Sequence, residues 1–214
     1  MNPAQPYLPQ LGGSEDRLWS LVAERCQPGA DAKVIDQRIW DLFGEKWAVM
    51  FTDLSGFSRS VEAFGIIHFL QIILEQKRIL LPIVAQHDGI LVKVEADSFL
   101  ILFRRPEGAL RCAVEMQRAC QRHNRDRAPE EQVLLCLGIG YGDVLRIGDS
   151  DIYGREVNAA SKLGEDTAKS HEILLTREAR EACGNPDGIH FEELGIAVGG
   201  SPENFRATYR RGDA

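Results

Sequence analysis

The chain has 214 residues, of which 44% are hydrophobic and 27% are charged, and its net charge is −7. This composition is ordinary for a globular protein with a sizeable core. The negative charge argues against a general nucleic-acid or anionic-membrane binder, because both need dense positive surface, but it allows a local site for a small anion.

The sequence also bears on location. No apolar run approaches the ~20 residues that span a bilayer, and the N-terminus lacks the basic start and apolar core of a secretory signal. The five cysteines are scattered and form no CxxC pair. We therefore expect a cytoplasmic protein with reduced thiols and no membrane contact.

Residues 1–45 are expected to form an accessory segment, and residues 46–214 a single domain. Residues 1–13 are rich in Pro, Gly and Gln and predict a flexible lead. The stretch "SEDRLWSLVAERC" predicts a helix capped by Ser14, and "DAKVIDQRIWDLFG" predicts a second helix that ends at Gly44.

From residue 46 onward, strand and helix patterns alternate. The strand "KWAVMFTD" precedes a helical segment, 61–88, that Pro82 should interrupt. "GILVKVEAD" and "SFLILF" predict a hairpin, and residues 107–127 predict an amphipathic helix. A long strand is predicted at 132–148, and its glycines should bend or bulge it. A helix is predicted at 155–169, and short strands at 172–176, 189–194 and 205–210.

The order βαββαβ predicts an α+β fold. We expect a ferredoxin-like core with an antiparallel sheet and helices on one face, extra C-terminal strands and a helical N-terminal extension.

The first chemical signal is a pair of aspartates. Asp53 ends the apolar strand, and Asp97 lies in the turn of the predicted hairpin. In the ferredoxin-like order the first strand neighbours this hairpin, so the two carboxylates should lie side by side. Close carboxylates repel each other unless cations lie between them, and Mg²⁺ and Mn²⁺ prefer such oxygen ligands.

Two further stretches point to nucleotide chemistry. The loop after Asp53, made of Ser55, Gly56, Phe57 and Ser58, offers backbone N–H groups at a helix start, where phosphate binds readily. In "DSDIYGREVNAASKLGED", Asp151 precedes a turn. Asn158 and Lys162 follow on one helix face, where an amide and a cation could hold a sugar and a phosphate.

Three motifs together resemble the class III nucleotidyl cyclase catalytic domain, the adenylate and guanylate cyclase family. They are "FTDLSGFS", "KVEADSF" and "DIYGREVNAASK", where the family has F-x-D-x-x-G-F-[ST], K-x-x-G-D-x-F and D-x-x-G-x-x-V-N-x-A-[SA]-R. The similarity covers about residues 46–210. Each motif alone is a weak signal, but three in order on the expected fold are a strong one.

The resemblance implies a metal site and a reaction. Asp53, Asp97 and the backbone carbonyl of Leu54 would bind two Mg²⁺ or Mn²⁺ ions per active site. The ribose 3′-hydroxyl of ATP would attack the α-phosphate, giving cyclic AMP and pyrophosphate by two-metal phosphoryl transfer.

The resemblance also implies roles for four other side chains. Lys93 and Asp151 would read adenine, the ammonium donating to N1 and the carboxylate accepting from the 6-amino group. Asn158 would orient the ribose, and Lys162 would neutralise charge on the α-phosphate. Family members act as head-to-tail dimers, so the resemblance implies a homodimer with two composite sites.

Three departures from the family pattern keep other readings open. Lys162 stands where arginine is usual. Ala96 stands where the family has glycine, and alanine suits such a tight turn only if its φ stays negative. The C-terminal loop "VGGSPENFR" has no lysine for the terminal phosphates, and Arg146 or Arg206 are candidates to replace it.

The alternatives are a weak or inactive cyclase-homology module that binds nucleotide or dimerises to regulate a partner, and a cyclase for guanine or pyrimidine nucleotides. Residues 1–45 could be a dimerising segment, a signal-transmitting remnant or an autoinhibitory arm, and they are the expected contact for a regulatory partner.

Overall fold

A computed structural model of the protein describes residues 13–56 and 62–210. It begins with two helices, α1 (Ser14–Arg25) and α2 (Ala32–Phe43). Their apolar sides pack together and against Ile147, with the buried set Leu18, Leu21, Ile35, Ile39 and Phe43. The helical N-terminal extension expected from the sequence is therefore present within the described residues.

The caps of these helices differ from expectation. Ser14 is the first residue of α1, and the cap position belongs to Gly13, which offers no side chain. The prediction that Ser14 caps α1 is therefore wrong. Asp31 does cap α2, because its carboxylate accepts hydrogen bonds from the N–H groups of Lys33 and Val34.

The centre of the fold is a sheet with the strand order β2-β3-β1-β4, in which every neighbouring pair is antiparallel. The strands are β1 (Gly44–Leu54), β2 (Ile90–Glu95), β3 (Ser98–Phe103) and β4 (Leu135–Ile147). This is the ferredoxin-like order, so the predicted α+β fold is confirmed.

Four short strands extend this core: β5 (Asp151–Tyr153), β6 (Ile173–Thr176), β7 (Ile189–Glu193) and β8 (Asn204–Tyr209). β5 pairs with β4, β6 runs parallel to β4, and β8 lies between β6 and β7. The C-terminal strands expected from the sequence are present, whereas β5 was not predicted.

Helices cover both faces of the sheet. On one face lie α3 (Ile66–Gln86), α4 (Pro106–Asn124) and α6 (Arg177–Cys183). On the other face, α5 (Arg155–Ser161) and a following π-helical turn (Lys162–Thr167) pack through Val157 and Ala160 against Trp47 and Val49. The expectation of helices on one face is wrong, because alternate residues of β1 are buried on both sides.

α3 is continuous through Pro82, contrary to the predicted interruption. The proline removes one backbone hydrogen bond. Leu80, Ile83 and Val84, which flank it, are all buried in the main core, and this burial holds the helix together. No helix within residues 13–56 and 62–210 is both long enough and apolar enough to cross a bilayer.

The glycines of β4 allow close packing against the segment that carries α5. β4 pairs with β1 without interruption from Leu135 to Leu145, so the predicted bulges are absent there. A Cβ on Gly138 would lie 2.1 Å from the carbonyl oxygen of Ala160 and 2.4 Å from the nitrogen of Gly164. The backbone at the end of α5 and in the turn after it therefore approaches β4 at a distance that only glycine permits.

We expect Gly138→Ala to lower the free energy of unfolding by more than about 2 kcal/mol, because the methyl group meets backbone atoms that cannot rotate away. The matched control is Gly108→Ala in α4, where a Cβ meets nothing within 4 Å and should stabilise the helix by about 0.5–1 kcal/mol. Urea unfolding followed by circular dichroism measures both, and equal stability of the two variants would contradict the prediction.

Candidate active site

Asp53 and Asp97 lie side by side. Asp53 is near the end of β1, and Asp97 is in the two-residue turn between β2 and β3. β3 pairs with β1, and the pair nearest to the two aspartates is Thr52 opposite Phe99. The Ser98 hydroxyl donates to Oδ1 of Asp53 at 3.4 Å. Asp97 is only 8% exposed, and its Oδ2 is buried without a hydrogen-bond partner.

The environment of the pair disfavours two negative charges. Burial, followed by the charge of Asp97, raises the pKa of Asp53 to about 7. Burial also raises the pKa of Asp97. The N–H of Leu54 stabilises both carboxylates and opposes these rises, but only partly. A cation bound between the carboxylates would remove the repulsion.

The turn that carries Asp97 is held by a buried hydrogen bond and contains one residue in an unfavourable backbone conformation. Gln76, fully buried in α3, donates from Nε2 to the carbonyl oxygen of Asp97 at 2.7 Å. Ala96 adopts a positive φ of 51°, a left-handed conformation that glycine would take without strain. The negative φ under which alanine would suit this turn is therefore not adopted, and the pairing of β2 with β3 continues to Glu95 and Ser98 on either side of the turn.

The loop after Asp53 is only partly described. Gly56 takes a positive φ of 92°, and the N–H of Ser55 donates to the carbonyl oxygen of Leu134 at 2.8 Å. The Ser55 N–H is therefore already used and is not free for a phosphate. Phe57 and Ser58, which were predicted to complete the phosphate-binding loop, lie outside the described residues.

Lys93 and Asp151 also come together within one chain. The Nζ of Lys93 is 4.0 Å from Oδ2 of Asp151 and 2.7 Å from Oε1 of Glu95. Both acids, together with Tyr153, raise the pKa of Lys93, the hydrogen bond to Glu95 being the largest contribution. Lys93, Glu95 and Asp151 line a cavity of about 150 Å³. The other residues that line it are Phe51, Ser98, Leu100, Ile152, Val157 and Glu165.

Two acidic residues of this cavity were missed by the site prediction. Glu95 pairs with Lys93, and its spacing two residues along the same strand is a signal for this contact. Glu165 lies in the π-helical turn and raises the pKa of both Asp53 and Asp97. No sequence pattern indicates a π-turn here, so Glu165 could not be placed in advance.

Asn158 and Lys162 are both engaged with their own chain. The Asn158 amide donates from Nδ2 to the carbonyl oxygen of Gly199 at 2.8 Å. Lys162, half exposed, forms an ion pair with Asp166 at 2.6 Å, which raises the pKa of the lysine. A substrate that uses these groups has to replace both contacts.

The two arginines considered as substitutes for the absent lysine are also paired. Arg146 bonds Asp149 at 2.7 Å and lies over the ring of Trp47. Arg206 forms ion pairs with Glu172 at 2.9 Å and Glu192 at 3.5 Å. Neither lines the cavity that holds Lys93 and Asp151.

The residues present fit a divalent cation bound with substrate. Within the described parts of the chain, no group of three or more acidic, histidine or cysteine side chains could hold a metal alone. Mg²⁺ is commonly bound by one or two carboxylates together with substrate phosphates. Asp53 and Asp97 supply two carboxylates, and the unpartnered Oδ2 of Asp97 is an available ligand atom.

Comparisons with known proteins identify the family. The profile of the adenylate and guanylate cyclase catalytic domain matches residues 44–205. The "Putative adenylate cyclase 3" of Rhizobium meliloti (strain 1021) is 30% identical over 148 residues, which are 69% of this chain and 25% of that protein. The chain belongs to the adenylate and guanylate cyclase catalytic domain family.

Solved structures agree with this assignment. An adenylate/guanylate cyclase/hydrolase from Silicibacter pomeroyi matches with a TM-score of 0.69 and 25% identity, covering 78% of this chain and 98% of that one. The adenylyl cyclase CyaB from P. aeruginosa matches with a TM-score of 0.63 and 24% identity, covering 80% and 97%. At 24% identity, the match to CyaB shows that the two proteins share a fold.

We expect Asp53→Asn to stabilise the metal-free protein at pH 8 by about 1–2 kcal/mol, a figure reduced because the carboxyl is only partly buried. The folded-state pKa of about 7 lies above the unfolded value of 3.8, so the folded state binds the extra proton between them. Stability therefore falls as pH rises from about 4 to 7, and the full penalty remains above pH 7.

Thermal unfolding at pH 5 and pH 8 measures this effect. Exposed Asp41→Asn serves as the control and should keep the pH response of the wild type. An identical pH response in wild type and Asp53→Asn would contradict the electrostatic account.

Proposed function

We propose that the protein is an adenylate cyclase that converts ATP to cyclic AMP and pyrophosphate. The ribose 3′-oxygen attacks the α-phosphorus, the hydroxyl proton is lost, and pyrophosphate leaves. The observation that carries this proposal is the pair of close, partly buried carboxylates Asp53 and Asp97, whose pKa values are both raised. Family membership supplies the reaction class.

The metal ions and the chain would divide the chemistry between them. Mg²⁺ or Mn²⁺ held by Asp53, Asp97 and the Leu54 carbonyl would activate the 3′-hydroxyl and stabilise the departing pyrophosphate. Asn158 orients the ribose once it leaves the Gly199 carbonyl, and Lys162 neutralises the α-phosphate once it leaves Asp166. Lysine supplies charge without the planar fork of arginine, which favours a slow enzyme.

The base assignment is supported by the Lys93–Asp151 pair. A donor and an acceptor 4.0 Å apart match the neighbouring N1 and 6-amino groups on one edge of adenine. The same pair could meet O6 and N1–H of guanine, so the preference for ATP comes from the resemblance rather than from this distance alone. A guanine- or pyrimidine-specific cyclase is therefore the first outcome that the assay has to separate.

The active form in this proposal is a head-to-tail homodimer. Each composite site takes Asp53 and Asp97 from one protomer, and Lys93, Asp151, Asn158 and Lys162 from the other. Because one chain carries both sets, a symmetric dimer contains two equivalent sites.

Residues 46–214 form the catalytic domain in this proposal, and residues 1–45 form the segment through which a regulatory partner acts. A cytoplasmic location is supported by the cysteines, since all five are free in the structure and four of them are buried. The chain spans 25% of the length of its R. meliloti relative, so the activity of a larger protein is not transferred to it.

A regulatory cyclase-homology module is the second candidate. It is favoured by the ion pair between Lys162 and Asp166 and by the Ser55 N–H that already bonds Leu134. Such a module would bind nucleotide or dimerise without turnover.

Turnover of ATP, GTP, CTP and UTP by the purified protein, with Mn²⁺ and then Mg²⁺, tests the proposal. We expect cyclic AMP as the main product and a loss of about 100-fold or more in kcat for Asp53→Ala and for Asp97→Ala. Exposed Asp41→Ala should stay within about twofold of the wild type. Another cyclic nucleotide would overturn the base assignment, and nucleotide binding without product would favour the regulatory module.

Mixing two impaired variants tests the composite site. Asp53→Ala and Asn158→Ala should each keep only a small residual activity alone, whereas a 1:1 mixture should recover about a quarter of wild-type activity, because half the dimers are mixed and each mixed dimer keeps one intact site. Product formation measured against total protein reports the recovery. A mixture no more active than either variant would contradict the head-to-tail arrangement.

A further inference from the structure

Glu156 is a buried carboxylate that the proposed reaction does not use. It lies in the first turn of α5, two residues before Asn158, and is 2% exposed. Burial raises its pKa. A buried carboxylate is unfavourable unless it is hydrogen-bonded, so its contacts indicate what it does.

Glu156 connects α5 to two strands of the sheet. Its Oε2 accepts hydrogen bonds from the N–H of Tyr141 in β4, at 3.2 Å, and from the hydroxyl of Thr176 at the end of β6, at 2.8 Å. The ladder between β4 and β6 ends at Ile139. Two residues further along β4, the Tyr141 N–H bonds Glu156 instead of a strand.

The strand leaves room for this side chain. A Cβ on Gly140 would lie 2.5 Å from the carbonyl oxygen of Glu156, and a Cβ on Gly142 would lie 2.8 Å from its Cγ. Both positions of β4 that face Glu156 therefore lack a side chain. The other carboxylate oxygen, Oε1, is 3.2 Å from the guanidinium of Arg155, which also bonds Glu178.

The opposite side of α5 is held by a loop. Asn158 bonds the carbonyl oxygen of Gly199, and a Cβ on Gly200 would lie 2.7 Å from the carbonyl oxygen of Arg155. Residues two apart on an α-helix point about 200° apart, so Glu156 faces the sheet while Asn158 faces away from it. The position of Asn158 therefore depends on how firmly the sheet side of the turn is anchored.

We propose that Glu156 is a positioning residue, whose hydrogen bonds to Tyr141 and Thr176 fix the first turn of α5 and thereby place Asn158 for its contact with the ribose. This inference rests on the proposed function, because Asn158 is the group through which Glu156 acts. Hydrogen-bond acceptance is the property required, and glutamine retains it with one carbonyl oxygen.

Two substitutions separate positioning from charge. Glu156→Gln should keep kcat within about threefold of the wild type, whereas Glu156→Ala should lower kcat about tenfold or more and change KM by less than about threefold, because a small misplacement of a substrate-orienting group reduces the rate. Glu178→Ala, which removes the other partner of Arg155 without touching β4, is the control and should stay near the wild type. Equal kcat losses in the Gln and Ala variants would overturn the proposal.

A double-mutant cycle tests whether Glu156 acts through Asn158. In the Asn158→Ala background, Glu156→Ala should lower kcat by less than about twofold further, since the group it places is already gone. Independent, multiplicative losses would indicate general destabilisation and overturn the proposal.

Amide hydrogen exchange provides a readout that does not need turnover. Exchange of the amides at 155–162 should accelerate in Glu156→Ala but not in Glu156→Gln or Glu178→Ala. If the wild type makes no cyclic nucleotide, the proposed function fails and the exchange result still decides the anchoring role. Unchanged exchange in Glu156→Ala would overturn the inference even in an active enzyme.

Discussion

The repulsion between Asp53 and Asp97 is the constraint around which the candidate site is organised. The fold brings both carboxylates to one place, because β1 pairs with the strand that follows the Asp97 turn. The hydrogen bond from Gln76 to the carbonyl oxygen of Asp97 holds that turn against the repulsion. The resulting electrostatic strain is present before any substrate binds, which makes a divalent cation and a polyphosphate favourable occupants.

A second constraint is the small distance between β4 and the helix that carries Asn158. Gly138, Gly140 and Gly142 remove three successive side chains from the same side of the strand. The backbone around Gly164 and the buried Glu156 occupy the space. As a result, Asn158, which is proposed to contact the substrate, lies on a helix packed closely against the central sheet rather than on a loop.

The sequence was sufficient for the core topology, since alternating burial and turn signals located β1 to β4, and for the meeting of Asp53 with Asp97. It was insufficient for features that depend on local backbone geometry. The π-turn with Glu165, the three-residue strand β5 and the use of the Ser55 N–H by Leu134 have no local signature. The short helix α6 was missed although its N-cap residue is a threonine, a residue typical of helix starts. The hydroxyl of Thr176 accepts a hydrogen bond from the Ala179 N–H.

The pairing of β1 with β4 has a consequence for how the protein folds. Gly44–Leu54 is matched residue by residue with Leu135–Leu145, so the centre of the sheet joins segments that are about half of the domain apart in sequence. Closing such a long loop precedes the gain from its contacts, which makes high-contact-order sheets slow to form. Nascent chains that end before β4 would contain both aspartates but lack the strand that completes the sheet beside Asp53, so the candidate site forms only after β4 has been synthesised.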